Sequence, residues 1–93
     1  MTDDTLDTRR RRALYRASHR GTKEMDWLLG RFGAGRVAQM SDADLAEFEA
    51  FITLPDPDLN DWIIEPARNP ETAFAGLIAA IRAFHGLDEA SGR

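Results

Sequence analysis

The chain contains no cysteine. Disulfides, thiolate nucleophiles and cysteine-based zinc sites are excluded together, and the composition suits a reducing compartment. No apolar run approaches the roughly 20 residues that a membrane-spanning helix requires. The opening Met1-Thr2-Asp3-Asp4 is acidic and polar, so neither a secretory signal nor a transit peptide is expected there. Alternating strand patterns with hairpin turns are also missing. The 93 residues make one domain. A chain of this size buries roughly 60–65% of the surface its unfolded form exposes, which supports one modest core and no deep pocket closing over a large substrate.

Charge is present, and unevenly placed. Residues 1–36 carry nine Arg/Lys and five Asp/Glu, a balance of +4; residues 37–93 carry three and eleven, a balance of −8, and together they give the net −4. A basic front half on an acidic protein suggests an oriented surface for an anionic partner. An apolar content of 43% is that of an ordinary globular domain.

Helical spacing recurs along the whole chain. The first helix is expected from about Asp7 to Ser18, with thin apolar content (Ala13, Leu14, Tyr15, Ala17) and four arginines, Arg9 to Arg12, around its first turns; it is expected to be the least anchored element. Gly21 breaks it. Met25, Leu28, Leu29 and Phe32 form the i, i+3, i+4, i+7 stripe of a second helix, with Gly33 and Gly35 as its stop. Ser41 caps a third, with Asp42 and Asp44 in its first turn and Leu45, Phe48, Phe51 and Ile52 inward. Asp56-Pro57 reads as cap plus first residue of a short fourth helix presenting Leu59, Trp62 and Ile63. Asn69-Pro70 repeats the device before a fifth helix with Phe74, Leu77, Ile78, Ile81 and Phe84, stopped by Gly86. The expected architecture is all-α: a small five-helix bundle, a single domain over 1–93, with 1–8 and 87–93 as flexible tails.

Enzyme chemistry finds little support. A nucleophile–base pair needs Ser18, Ser41, Ser91 or a threonine with His19 or His85, and no elbow motif surrounds any of them. His19 reads as a solvated surface residue and His85 as a cation complementing a helix C-terminus. The carboxylate groups Asp42/Asp44, Glu47/Glu49 and Asp56/Asp58/Asp61 lack a neighbouring histidine, so they read as solvated charge rather than a metal site. Gly30-x-x-Gly33-x-Gly35 follows a helix rather than a strand, so it is a flexible helix end and not a dinucleotide fingerprint. Arg9–Arg12 could neutralise phosphates, but the four spread around the helix with no aromatic platform among them.

The corner Arg20-Gly21-Thr22-Lys23-Glu24 remains. Local physics accounts for Gly21 as a residue free to take a positive φ, for Thr22 as a cap, and for part of Glu24 through the helix dipole. It leaves Arg20 without a role. Arg20-Gly21-Thr22-Lys23-Glu24-Met25-Asp26, with Leu29 and Phe32 beyond, resembles the R-G-x-x-E and D-x-x-L-x-x-F pattern of the succinate dehydrogenase flavinylation factors, the SdhE-like assembly factors. Arg12-Ala13-Leu14-Tyr15-Arg16-Ala17-Ser18 looks like that family's first helix. Phe48-Glu49 and Leu54-Pro55-Asp56-Pro57-Asp58-Leu59-x-Asp61-Trp62-Ile63 look like its later D-x-D-L-x-x-W segment. The similarity covers roughly residues 10–65. His19 stands where an arginine is usual and Thr22 where methionine is frequent.

The resemblance implies a five-helix, non-enzymatic, cytoplasmic bacterial protein that is a monomer when free. It would bind the flavoprotein subunit of succinate dehydrogenase, or of fumarate reductase, and promote covalent attachment of FAD to a histidine of that subunit. FAD would belong to the partner, with no cofactor or metal held stably by this chain. By carry-over, Arg20, Gly21 and Glu24 would contact the partner, projecting from one corner, with Tyr15, Arg16, Lys23 and Asp26 bordering them and Trp62 at the core or the rim. A small nucleic-acid-binding or antitoxin-like regulatory module using Arg9–Arg12 is the alternative.

Overall fold

The computed structural model describes residues 5–66 and 73–87. They form five α-helices: α1 (Leu6–Ser18), α2 (Lys23–Arg36), α3 (Asp42–Phe51), α4 (Asp56–Ile64) and α5 (Ala75–Phe84), with a 3-10 turn, Val37–Gln39, after α2. The all-α expectation holds. The expected Asn69-Pro70 start of the last helix lies outside the described residues.

Helix starts follow side-chain caps. Thr5, Thr22 and Ser41 each accept the backbone N–H three residues on, all at 3.1 Å, each satisfying a donor that the first helical turn leaves open. α1 therefore begins at Leu6, within the stretch expected as a tail. α4 also starts one residue earlier than expected: Pro55 is its N-cap, and Asp56 and Pro57 occupy the first turn. Gly86, at φ 72°, ends α5 in the left-handed conformation that favours glycine.

The core is drawn from every helix. Met25, Leu29, Leu45, Phe48, Phe51, Leu59, Ile63 and Ile81 are fully enclosed, and each such side chain contributes on the order of 1.5–3 kcal/mol. Phe32 links the layers, tilted against Phe48 and edge-on to Phe84.

Two expectations need correction. Gly33 and Gly35 do not stop the second helix, and the glycine run is not a flexible helix end: α2 continues through all three glycines to Arg36. The reason is close packing of α1 on α2. A Cβ on Gly30 would lie 3.2 Å from Ser18 Oγ and 3.3 Å from Ser18 Cα, and one on Gly33 would lie 3.3 Å from Leu14. Across from them, Ala13 and Ala17 are fully buried. The small residues let two backbones approach, and that contact outweighs the roughly 1 kcal/mol propensity cost of Gly30 and of Gly33.

Nor is α1 poorly anchored. Arg9 donates to Glu49 (2.9 Å) and Asp42 (2.6 Å) on α3, and these partners, Glu49 first, raise its already high pKa. Arg10 donates to the Met40 carbonyl at 2.9 Å. Arginine–acceptor bonds hold the helix where apolar content is thin. At the other end of the chain, Arg82 of α5 donates to the carbonyls of Ile63, Ile64 and Leu87, closing α5 onto the end of α4.

Candidate functional site

The α1–α2 corner, residues 19–22, sits against the start of α4. Its organiser is Asp56. One carboxylate oxygen accepts Arg20 Nε at 2.8 Å and lies 2.7 Å from Nη2. The other accepts the Gly21 backbone N–H at 2.9 Å. Arg20 also donates through Nη1 to the Ile52 carbonyl and through Nη2 to the Leu54 carbonyl at 3.0 Å. Its backbone N–H donates to Asp26 Oδ1. The guanidinium thus satisfies two carbonyls of the α3–α4 connection and the carboxylate that opens α4 at once. The planar fork of arginine suits such a divergent set, and a lysine would not reach all three.

This alters the expectation for two residues. Arg20 does not project from the corner: its side chain is 11% exposed and turned inward. Gly21 is not at positive φ, since Gly86 is the sole positive-φ residue among those described. A Cβ at position 21 would meet Asp56 Oδ2 at 3.2 Å, so a side chain there would press on the carboxylate that Arg20 holds. The backbone comes close, but to the chain's own carboxylate.

Glu24 does point outward. It is exposed, has no partner among the described residues, and lines a hollow of about 190 Å³ with Thr22, Met25, Asp56, Pro57 and Asn60. Asn60 Oδ1 is buried there without a hydrogen-bond partner among the described residues. The hollow therefore presents one free carboxylate, that of Glu24, with the unpaired Asn60 amide oxygen lying beneath its surface.

The flanking residues divide. Lys23 is exposed on a different face of α2 from Glu24, and Asp26 is half-buried and engaged by Arg20. Arg16 and Tyr15 are exposed on α1, with Tyr15 stacked on His19 at 3.9 Å. His19 donates from Nδ1 to the Tyr15 carbonyl at 2.8 Å. Trp62 is half-buried against the core. His85 bridges helices, donating to the Leu28 carbonyl at 2.8 Å. Of the arginine run, Arg9 and Arg10 are committed to internal acceptors. Arg11 and Arg12 are exposed and Arg12 is itself engaged, so the run falls short of the cluster a phosphate backbone would require. Among the described residues no three His, Asp or Glu side chains converge as metal ligands, and no helix is long and apolar enough to cross a membrane.

Sequence reasoning missed two residues. Asp56 had been read as a helix cap among solvated carboxylates, whereas it organises the corner. Trp27, on no apolar stripe, is 49% exposed, lies 4.6 Å from the His85 ring and has the Arg31 guanidinium 5.6 Å above it. An aromatic interrupting the polar face of an amphipathic helix was the available signal.

Residues 11–85 match the family model described as "Flavinator of succinate dehydrogenase". Over 71 residues the chain is 39% identical to the FAD assembly factor SdhE of Acetobacter pasteurianus, covering 76% of this chain and 65% of that protein. Over 66 residues it is 36% identical to the SdhE of Xylella fastidiosa, covering 71% and 68%. Over 66 residues it is 32% identical to the mitochondrial succinate dehydrogenase assembly factor 2 of Dictyostelium discoideum, covering 71% of this chain and 47% of that one. The chain thus spans less than two thirds of the first of these and under half of the mitochondrial protein.

Proposed function

The chain belongs to the succinate dehydrogenase flavinator family, and we propose on that premise that it binds the flavoprotein subunit of succinate dehydrogenase and promotes covalent attachment of FAD to it. The observation that carries the reading is the family match over residues 11–85, which includes the whole corner. The named relatives are assembly factors rather than catalysts, in keeping with a chain that acts on its partner's conformation. FAD and the histidine that receives it belong to the partner. We place the protein in the bacterial cytoplasm as a monomer when free, with a fumarate reductase flavoprotein as a second client.

Arg20, Gly21 and Glu24 divide the work in this reading. Arg20, held by Asp56, fixes the corner's shape. Gly21 keeps its backbone low. Glu24, at the rim of the hollow, offers its carboxylate to a cationic or N–H group of the flavoprotein. A desolvated charge pair at such a contact is worth about 2–5 kcal/mol when one partner is truncated. The test is co-expression with the flavoprotein subunit, scored by flavin fluorescence in denaturing gels. Gly21→Arg is expected to remain helical and to abolish covalent flavin. Unchanged fluorescence with this variant would remove the corner from the function.

A further inference from the structure

A second surface lies on a different face of α2 from Glu24. Two cavities, of about 370 and 270 Å³, open along the line where α1 meets α2. Ser18, Lys23, Trp27, Gly30, Arg31 and Ala34 line the first. Arg11, Leu14, Val37 and Ala38 line the second. On α1 the positions 7, 11, 14 and 18, and on α2 the positions 23, 27, 30 and 34, each recur at the spacing that puts side chains on one side of a helix, and Ala38 of the following 3-10 turn continues the α2 line. The two cavities therefore belong to one seam. It is about 20 Å long at 1.5 Å of rise per residue, the length of about six residues of extended chain. Its floor is small because the helices touch at Gly30 and Ser18.

The rim is cationic. Arg11, Lys23 and Arg31 are exposed, and none has a carboxylate partner among the described residues. The two carboxylates that border the seam are occupied: Asp7 pairs with Arg10 at 3.4 Å, and Asp26 accepts the Arg20 backbone N–H. Trp27 stands in the wall, half-exposed, steadied by His85 behind it and Arg31 above it. His85 is itself fixed to the Leu28 carbonyl. A rigid, partly buried tryptophan ringed by cations is the composition found at the energetic centre of protein interfaces.

We propose that this seam is a docking groove for an extended, acidic segment of the partner protein that presses an apolar side chain onto Trp27. The charge complementarity commits the occupant: three unpaired cations line the groove of a protein whose net charge is −4. Single-stranded nucleic acid fits less well, because one tryptophan offers a single stacking platform and Arg9 and Arg10 are consumed internally. The proposal rests on the flavoprotein reading for the identity of the partner. It assigns a contact beside that of Glu24, so that the partner meets a carboxylate on one face of α2 and cations on the next.

The test is titration of the purified flavoprotein subunit with the full chain, at about 50 and about 300 mM salt, a range over which screening of exposed charges grows markedly. The expected result is binding that weakens several-fold with salt. Lys23→Glu with Arg31→Glu should weaken it at least about ten-fold at low salt and remove most of the salt dependence, and Lys23→Arg with Arg31→Lys should restore both. Trp27→Ala should weaken binding at either salt concentration. All these positions are exposed, and circular dichroism of each variant checks that it remains folded. Wild-type binding unaltered by the charge reversal and by Trp27→Ala overturns the groove and leaves the flavoprotein reading intact. No binding by the wild type overturns both. Binding of an oligo-dT probe that the charge reversal abolishes, with subunit binding unchanged, overturns the choice of occupant.

Discussion

Removal of the Arg20 side chain should destabilise the protein before it affects any partner. Three groups lose a donor in Arg20→Ala: the Asp56 carboxylate and the carbonyls of Ile52 and Leu54. A buried hydrogen bond to a charged group is worth about 1.5–3 kcal/mol, and an exposed ion pair under about 1 kcal/mol. Arg20 and Asp56 are 11% and 17% exposed, so water can replace part of what is lost. The expected cost is about 2–3 kcal/mol, a fall in Tm of roughly 8–20 °C for a domain of this size. Asp56→Ala should cost about the same, because it frees both the guanidinium and the Gly21 N–H. The double variant should be less destabilised than the sum by about 1–2 kcal/mol, since either change already breaks the shared bond. Urea denaturation of the four proteins followed by circular dichroism measures the cycle. Additivity within about 0.5 kcal/mol, or an Arg20→Ala protein as stable as wild type, would refute the clamp.

Other predictions concern separate positions. Glu24→Gln should change stability by less than about 0.5 kcal/mol, as expected of an exposed residue without a partner, while lowering covalent flavin in the co-expressed subunit. Gly30→Leu should cost about 1–3 kcal/mol in urea denaturation, because Ser18 backbone blocks the added atoms. Gly76→Ala, where nothing lies within 4 Å of a new Cβ, should instead stabilise α5 by up to about 1 kcal/mol. Ser41→Ala should cost about 1 kcal/mol through the lost bond to the Asp44 N–H, read as a lower urea midpoint.

The helices were legible where one residue carries a local device. Ser41 marked α3, Gly86 the end of α5, and Met25, Leu28, Leu29 and Phe32 the buried face of α2. What failed depends on contacts far apart in sequence. Gly33 and Gly35 looked like a stop because propensity is local, whereas the packing of Gly33 on Leu14 and Ala17 is not. Gly21 suggested a left-handed turn, but its reason is an aspartate 35 residues away. Arg20 looked like surplus charge because its three acceptors lie 32 to 36 residues on. The motif drew attention to the corner; which of its charges faces inward became visible only with α4 in place.

One measurement tests the flavinylation role most directly: the time course of covalent flavin formation in purified flavoprotein subunit supplied with FAD, with and without this protein. Covalent FAD is expected to accumulate markedly faster with the wild-type chain, and Glu24→Gln, although folded, to give a smaller gain. Equal rates with and without the protein, under conditions where the two are shown to bind, would contradict it.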